Sequence, residues 1–418
     1  MDRIRIAGPC TLSGRVRVSG AKNAVLPEMA AMLMIDGPTR LTNVPDVHDV
    51  TTMIKVLGHL GMQDLELRDG VLTAAGCEPS EPEAPYDLVR KMRASILVLG
   101  PLLARLGRAK VSLPGGCAIG ARPIDLHITA LRQMGARIDI EHGYVVASST
   151  RLRGAQIRFD KQTVTGTENI MMTASLADGR TVLRNCAQEP EVADLAAFLN
   201  ACGARIEGAG GATVTIDGVD RLRGATHAVI PDRIEAGTFL MAAAATGGGI
   251  TVEACRPDHL GAVVDTLRRC GVQLQEQGDA ITVRPDGPLR AVDAKTLPYP
   301  EFPTDLQAQY MALMTRARGD ARITETVFEN RFMHVGELRR MGARIEVEGQ
   351  TATVTGPAPL SGAPVMASDL RASACLIVAG LQAEGETMIS RAYHIDRGYE
   401  HVVTKFRTLG ARIERVRG

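Results

Sequence analysis

One short sequence pattern recurs six times along this chain of 418 residues. In each copy a Leu or Phe stands four positions before a glycine, an apolar residue directly precedes the glycine, and a strand-like run follows. The six glycines are Gly61, Gly135, Gly203, Gly271, Gly342 and Gly410. Their separations are 74, 68, 68, 71 and 68 residues. A spacing this regular predicts one structural unit used six times.

The local pattern also predicts how each unit folds. Glycine tolerates the left-handed conformation that closes a helix, so each of these glycines is expected to end an amphipathic helix. The alternation that follows, as in residues 136–141, predicts a half-buried strand, and a second strand is expected after a turn, as at residues 144–148. Upstream lie another strand and a mostly apolar helix, as at residues 235–245, which is expected to be buried. The predicted unit is βαβαββ, and the fold class is α/β.

The chain is longer than the size at which a single core keeps growing, so we expect two domains of three units each. The predicted N-terminal domain is residues 21–228, with repeats 1–3. The predicted C-terminal domain is residues 1–20 plus 229–418, with repeats 4–6. The strand-like runs at residues 3–6 and 15–18 are expected to complete the last unit, which lacks a second closing strand. The chain would then pass between the domains twice, which would make the cleft between them a hinge.

Composition excludes several classes of function. The net charge is +1 and Trp is absent, which disfavours a general nucleic-acid surface and base-stacking platforms. We therefore expect no nucleic-acid partner. No apolar run approaches the length of a membrane span and the first residues predict a strand instead of a signal peptide, so no membrane association is expected. The eight Cys form no Cys-x-x-Cys pair, which predicts reduced thiols in a cytoplasmic protein with neither a metal site nor a cofactor.

Two glycine-rich or small-residue stretches break the repeat and are candidates for function. In residues 19–23, Lys22 and Asn23 follow a strand and could hold a phosphate, although a solvated loop lysine is the simpler interpretation. In residues 113–127, three glycines surround Cys117, and the nearby Arg122 favours the thiolate. Cys202 and Cys270 instead occupy the apolar position before a repeat glycine and are expected to fill the core.

A carboxylate and a set of arginines complete the candidates. Asp305 follows two prolines, where either it or Thr304 is expected to cap the next helix, and where a carboxylate could also act as a general base. The arginines lie where strands end or helices begin, and they are Arg93, Arg122, Arg331, Arg371 and Arg397. Any one of them could form a surface ion pair of little value. Together they suggest a small, highly anionic ligand, since Arg binds carboxylate and phosphate in a bidentate manner.

At these residues the chain resembles the enolpyruvyl transferase family over essentially its whole length. The resemblance rests on five motifs, which lie at residues 19–23, 114–123, 302–305, 328–332 and 394–400. It implies a two-domain inside-out α/β barrel, with three of the six repeats in each domain and an open-to-closed motion. The implied substrates are the small molecules phosphoenolpyruvate and UDP-N-acetylglucosamine.

The resemblance implies a reaction as well. The enolpyruvyl group of phosphoenolpyruvate passes to the 3-hydroxyl of the sugar, phosphate leaves, and a tetrahedral ketal forms and then eliminates. This is the committed step towards bacterial peptidoglycan. By resemblance, Cys117 is the thiol of a mobile loop that protonates the methylene carbon or assists release, and family members with this cysteine are alkylated there by fosfomycin. Asp305 resembles the base that faces the sugar hydroxyl.

The remaining roles are also carried over by resemblance. The phosphoenolpyruvate clamp would consist of Lys22, Arg93, Arg122 and Arg397, with Arg331 and Arg371 nearby. The sugar would be held by Asn23, Asp305 and the backbone of Val327. The diphosphate and uracil would meet Arg122, Pro123, Ile124, Asp125, Leu126, Lys161, Thr163, Val164 and Thr165.

Two positions depart from the family pattern, and two other functions stay open. His48 stands where many relatives have Lys, and Leu97 replaces an aromatic residue found in some members, which puts a loop contact and nucleotide packing in question. The first alternative is transfer of the same group to shikimate 3-phosphate. The second is a non-catalytic nucleotide-sugar-binding protein on the same fold. The oligomeric state is not predicted.

Overall fold

The computed structural model describes residues 2–79, 81–90, 92–113, 124–284 and 287–417. These residues form two compact units. The split unit contains the described residues up to Ser19 and from Pro231 onward, and the middle unit contains those from Gly20 to Ile230. Each unit has its own cluster of buried apolar side chains.

The middle unit contains three four-stranded sheets among its described residues. In strand order, the first is Thr226–Ala228, Thr39–Thr42, Val71–Ala74 and Glu66–Arg68; the second is Glu83–Ala84, Arg108–Ser112, Tyr144–Ser148 and Arg137–Glu141; the third is Gln156–Arg158, Arg180–Arg184, Thr213–Asp217 and Arg205–Glu207. Two small sheets pair Leu222–Arg223 with Ile35–Asp36 and Met62–Gln63 with Gly76–Cys77.

The split unit also contains three four-stranded sheets among its described residues. They are Ser13–Arg17, Gly249–Glu253, Ala280–Arg284 and Gln273–Gln277; Ala294–Lys295, Gly319–Thr324, Thr351–Gly356 and Arg344–Glu348; and Pro364–Met366, Gly385–Ser390, Arg3–Gly8 and Ile413–Val416. In all six four-stranded sheets the first two strands run parallel and the other neighbours pair antiparallel. A parallel pair requires a crossover, which a helix supplies in most proteins.

The two N-terminal strands join different sheets. Arg3–Gly8 lies between Gly385–Ser390 and Ile413–Val416 and completes the last sheet, as the sequence predicts. The prediction is wrong for the second run, because Ser13–Arg17 pairs in parallel with Gly249–Glu253. Alternation alone shows that a segment can form a strand, but the partner of that strand depends on where the chain leads it.

Helices connect these strands in both units. In the middle unit the α-helices are Lys22–Ala31, His48–His59, Tyr86–Val89, Leu99–Leu106, Asp125–Gln133, Val164–Ser175 and Pro190–Ala201, with 3₁₀ helices at Met32–Met34 and Arg93–Val98. In the split unit they are Arg233–Thr246, Gly261–Arg269, Gln307–Met314, Val335–Arg340, Leu370–Gln382 and Val402–Thr408, with 3₁₀ helices at Pro257–Leu260, Thr304–Leu306 and Ala392–Arg397. None of the helices in the described ranges is long and apolar enough to cross a bilayer.

Three helices of the split unit are buried on nearly every face and pack against one another. They are Arg233–Thr246, Gln307–Met314 and Leu370–Gln382. Most of their residues are apolar or small, which is typical of a helix enclosed by other elements. The prediction of a buried helix at residues 235–245 is confirmed.

The recurring glycines end helices as predicted. All six have a φ between +89° and +100°, a conformation that carries little cost for glycine alone. The apolar residue before each glycine is buried, which places that position in the core of its unit. Cys202 and Cys270 are two of these residues, and their prediction as core fillers is confirmed.

Candidate active site

Asp305 forms ion pairs with two buried arginines of the split unit. Its Oδ1 accepts a hydrogen bond from Arg331 Nη2 at 2.6 Å, and its Oδ2 accepts one from Arg371 Nη2 at 2.7 Å. The side chain of Asp305 is 26% exposed, whereas those of Arg331 and Arg371 are 5% and 7% exposed. All three residues are candidates from the sequence, and the structure brings them together in one cluster. We call Asp305, Arg331 and Arg371 the Asp305 cluster.

Local structure positions each member of the Asp305 cluster. Asp305 lies in the 3₁₀ turn Thr304–Leu306, directly before helix Gln307–Met314. Arg371 lies in the first turn of helix Leu370–Gln382, whose N-cap Asp369 accepts hydrogen bonds from the backbone N–H groups of Arg371 and Ala372 at 2.8 and 3.0 Å. Capping ties the helix start to a fixed geometry, so the guanidinium is delivered from a rigid element.

The charges of the cluster control its protonation. Burial by itself would raise the pKa of Asp305, but Arg371 and Arg331 outweigh burial and hold the pKa well below its usual range. Burial favours the neutral form of Arg371, but Asp305 more than offsets this and raises the pKa of the guanidinium. Asp305 is therefore a carboxylate at neutral pH, and while both arginines are paired with it, it is a weak base.

Arg331 has a donor to spare. Its Nη1 donates to Thr304 Oγ1 at 2.9 Å and its guanidinium lies 5.0 Å from the centre of the Phe328 ring. Its Nε is buried and has no hydrogen-bond partner among the described residues. Buried donors of this kind are nearly always paired in proteins, so this atom is suited to an anionic ligand.

Glu325 holds the segment beside the Asp305 cluster. Its Oε1 accepts hydrogen bonds from Thr296 Oγ1 at 2.9 Å, Val327 N at 2.8 Å and Phe328 N at 3.1 Å, and its Oε2 accepts one from Thr304 Oγ1 at 2.8 Å. The side chain is buried, and these four donors compensate its charge. Glu325 thereby connects Val327, whose side chain is exposed, to the turn that carries Asp305.

A second set of polar groups supports the backbone of Asp305. Gln309 Nε2 donates to Asp305 O and to the hydroxyls of Thr238 and Tyr399, each at 3.1 Å. The guanidinium of Arg371 lies 5.7 Å from the centre of the Tyr399 ring. These contacts restrict both the turn and the arginine. Arg397 closes the 3₁₀ helix Ala392–Arg397.

In the middle unit, the candidates for phosphate binding include Lys22 and Asn23, which are the first two residues of helix Lys22–Ala31. Lys22 Nζ donates to Asp49 Oδ2 at 3.1 Å, and both side chains are largely buried. The solvated loop lysine considered above is therefore wrong, because the amine is held in an ion pair inside the unit. His48 and Asp49 open helix His48–His59.

The stretches expected to bind a nucleotide lie at two neighbouring helix starts. Ile124 is the N-cap residue of helix Asp125–Gln133, and Thr163 is the N-cap of helix Val164–Ser175 and accepts a hydrogen bond from Gly166 N at 3.1 Å. Thr165 Oγ1 lies 3.3 Å from His127 Nε2, which joins the two helices. Asp125 and Lys161 are exposed, whereas Leu126 and Val164 are half-buried.

His127 is a core residue. Its Nδ1 lies 3.0 Å from Asn169 Nδ2, whose side chain also accepts a hydrogen bond from Gly100 N. Burial, and to a lesser degree Arg93, lowers the pKa of His127 to about 4, so the ring is neutral. Leu97 is buried in the 3₁₀ helix Arg93–Val98.

Three predicted residues fall outside the part of the chain that the structure describes, namely Cys117, Arg122 and Pro123. Among the described candidates, the structure joins Asp305, Arg331 and Arg371. Sequence reasoning missed Glu325 and Gln309. Both residues give weak signals in a single sequence. Glu325 lies between two threonines and Gln309 lies in an apolar helix, and neither residue type nor spacing distinguishes them from surface residues.

The chain is similar to known proteins along its entire length. A sequence profile described as EPSP synthase (3-phosphoshikimate 1-carboxyvinyltransferase) matches residues 6–406. Curated proteins named UDP-N-acetylglucosamine 1-carboxyvinyltransferase are 58% identical in Anaeromyxobacter dehalogenans and 56% identical in Koribacter versatilis, over 100% of this chain and 100% and 97% of the relatives.

Solved structures show the same likeness. The enolpyruvyl transferase NikO from Streptomyces tendae is 27% identical with a TM-score of 0.89, and the match covers 99% of both chains. An EPSP synthase from Acinetobacter baumannii, at 19% identity and a TM-score of 0.77 over 100% of both chains, shows the fold alone. On the profile match and the full-length identity, the chain belongs to the EPSP synthase (3-phosphoshikimate 1-carboxyvinyltransferase) family, the family of enolpyruvyl transferases that its motifs indicate.

Proposed function

We propose that this protein transfers the enolpyruvyl group of phosphoenolpyruvate to the 3-hydroxyl of UDP-N-acetylglucosamine, with release of phosphate, as the committed step of peptidoglycan synthesis. The observation that carries the proposal is full-length identity of 56–58% to curated proteins named for this activity. The site chemistry agrees, since the Asp305 cluster combines a carboxylate with two cations and an unused guanidinium donor.

The chemistry proceeds by addition and elimination. The sugar oxygen attacks C2 of phosphoenolpyruvate as its proton passes to Asp305, and the methylene carbon gains a proton from Cys117, which gives the tetrahedral ketal. Loss of phosphate and of one methyl proton then restores the double bond. Lys22, Arg93, Arg122 and Arg397 hold the phosphate and carboxylate of the donor, because arginine and lysine charges can gather these anions.

The ion pairs of Asp305 set a condition on this role. A general base works best when its pKa lies near the operating pH, whereas two arginines hold the pKa of Asp305 well below its usual range. We infer that an anionic substrate draws Arg331 or Arg371 partly away from Asp305. The carboxylate then becomes a stronger base only when the substrate is present.

Substrate recognition follows the residues carried over by resemblance. Asn23 and the backbone of Val327 would hold the sugar and its acetamido group. The diphosphate and uracil would meet two stretches, which contain Arg122, Pro123, Ile124, Asp125 and Leu126, and Lys161, Thr163, Val164 and Thr165. The position of the second stretch at the start of helix Val164–Ser175 supports this role, because helix N-termini favour anions.

We also propose the finer description of the fold. It is a two-domain inside-out α/β barrel of six βαβαββ repeats, with repeats 1–3 in residues 21–228 and repeats 4–6 in residues 1–20 plus 229–418. The common strand order of the six described four-stranded sheets supports it. The protein would act in the cytoplasm.

A second acceptor, shikimate 3-phosphate, is favoured by one observation, the description of the matching profile. Assaying phosphate release from phosphoenolpyruvate with each acceptor in turn distinguishes the two. We expect turnover with UDP-N-acetylglucosamine and none with shikimate 3-phosphate. Turnover with shikimate 3-phosphate alone would overturn the proposed acceptor, and turnover with neither would favour the non-catalytic alternative.

A further inference from the structure

Three potential metal ligands converge inside the middle unit, and none of them belongs to the site described above. Glu28 comes from helix Lys22–Ala31, Asp194 from helix Pro190–Ala201, and His227 from strand Thr226–Ala228. One donor atom from each lies within 4.8 Å of the others. Because the three residues are widely separated along the chain, no sequence motif signals this grouping.

One nitrogen of the His227 imidazole, Nε2, faces both carboxylates. His227 Nε2 lies 2.9 Å from Asp194 Oδ1 and 3.6 Å from Glu28 Oε1. One N–H group can satisfy Asp194 at this distance but leaves Glu28 without a hydrogen bond. Asp194 is oriented by its other oxygen, since Oδ2 accepts a hydrogen bond from Ile230 N at 3.0 Å. Metal-binding carboxylates are commonly held in place by such outer contacts.

Glu28 is the unexplained member of the group. Its side chain is completely buried, and neither carboxylate oxygen has a hydrogen-bond partner among the described residues. Two further carboxylates, Asp194 and Glu168, add negative charge around it. No arginine or lysine of the described residues is among the groups that perturb it. Isolated buried carboxylates are costly, so either a proton or a cation must compensate this one.

We propose that Glu28, Asp194 and His227 form a binding site for one divalent metal ion of the zinc type. Two carboxylates balance the charge of the ion, and a neutral imidazole supplies the nitrogen ligand that Zn²⁺, Co²⁺ and Mn²⁺ accept. Water would complete the coordination, and the side chain of His227, at 14% exposure, provides the route from solvent. On binding, the proton that compensates Glu28 passes to solvent and the proton on His227 Nε2 is replaced by one on Nδ1, which keeps the imidazole neutral, with no change of oxidation state.

The proposed site is structural and does not depend on the proposed function. It would join helix Lys22–Ala31 to helix Pro190–Ala201 and to strand Thr226–Ala228, none of which carries a member of the Asp305 cluster. The ring of His227 packs against Phe198, with 5.6 Å between ring centres, which fixes one side of the imidazole.

The test is metal binding by the full-length chain after removal of metals with a chelator. Titration calorimetry with Zn²⁺, and separately with Mn²⁺, is compared for the wild type, Glu28→Gln, His227→Gln and Glu235→Gln. We expect one ion per chain, binding at least tenfold weaker in the first two variants, and a metal-dependent rise of the thermal unfolding midpoint in the wild type. Glu235→Gln is the matched control, because Glu235 is a buried carboxylate of the split unit that supplies no ligand to the group. Its affinity should stay within threefold of wild type.

Several results would overturn the proposal. If the wild type binds no ion in a one-to-one ratio, or if both substitutions leave the affinity unchanged, a proton on Glu28 accounts for the group instead. Because the chain also contains eight Cys, Co²⁺ absorption serves as a further check, since thiolate ligands give charge-transfer bands that oxygen and nitrogen ligands lack. Such bands on the single bound ion would assign it to cysteine. His227→Gln changes a partly exposed residue and keeps the test valid if Glu28→Gln fails to fold.

Discussion

Replacing Glu325 by glutamine tests how the segment beside Asp305 is held. The carboxylate accepts four hydrogen bonds in a buried position. An amide oxygen in the place of Oε1 keeps three of them, but the amide nitrogen then meets Thr304 Oγ1, which can no longer donate there. The amide N–H can donate to the second lone pair of this hydroxyl, so that hydrogen bond is reversed and becomes a neutral one, and the other three lose their charged acceptor. A hydrogen bond to a charged group contributes about 1.5–3 kcal/mol, whereas a neutral one contributes about 0.5–1.5 kcal/mol. Relief of the buried charge offsets part of this loss, so we expect Glu325→Gln to lower the free energy of unfolding by about 2 kcal/mol.

The measurement is urea unfolding followed by far-UV circular dichroism, since the chain has no Trp for fluorescence. Glu346→Gln is the control, because it makes the same chemical change at an exposed position of strand Arg344–Glu348 in the neighbouring part of the split unit. The control should stay within about 0.5 kcal/mol of wild type. If Glu325→Gln does so too, the four-donor arrangement does not stabilise this segment.

The same substitution should affect the KM values of the two substrates differently. Glu325 accepts a hydrogen bond from the backbone of Val327, which is proposed to meet the acceptor sugar, and is connected to Asp305 through Thr304 and Arg331. Glu325→Gln should therefore raise KM for UDP-N-acetylglucosamine several-fold more than KM for phosphoenolpyruvate. Equal changes in both KM values would assign Glu325 a general structural role.

Four further predictions concern the site and the core. Asp305→Asn should lower turnover by about 100-fold or more, the scale of a general base, and unchanged turnover would remove Asp305 from the chemistry. If substrate draws an arginine from Asp305, the acid limb of kcat should have a higher apparent pKa than that of kcat/KM, since the two report the bound and the free enzyme; identical limbs would contradict the release of Arg331 or Arg371. Because the arginines depress the pKa of folded Asp305, its contribution to stability is complete above about pH 4, the ordinary value for Asp, and is lost as pH falls through the lower folded value. Urea midpoints at about pH 5 and pH 3 should therefore differ more in wild type than in Asp305→Asn, and an equal difference would refute this. Burial raises the pKa of Cys202 to about 12. Mass spectrometry should therefore find Cys202 unalkylated by iodoacetamide at about pH 8 in the folded chain and alkylated in urea. Fosfomycin should modify only the peptide that contains Cys117.

Local elements and the family were predictable from the sequence. Strands and helices followed from periodicity, and the positive φ at Gly61 and Gly410 followed from the use of glycine to close helices. The partner of strand Ser13–Arg17 was not predictable, because alternation shows only that a strand will form. In the candidate site, Asp305 and the arginines were identifiable by type and position, but their mutual pairing was not.

By itself, the sequence determined which kinds of segment form helices and strands and to which family the chain belongs, since both depend on residue order over short distances. Only the tertiary structure decided which polar side chains meet. Arg331 and Arg371 share Asp305, Glu325 gathers donors from three segments, and Glu28 lies beside Asp194 and His227. Such contacts join residues that are remote along the chain and require a packed core to exclude water, so their geometry and pKa shifts exist only once the units have folded.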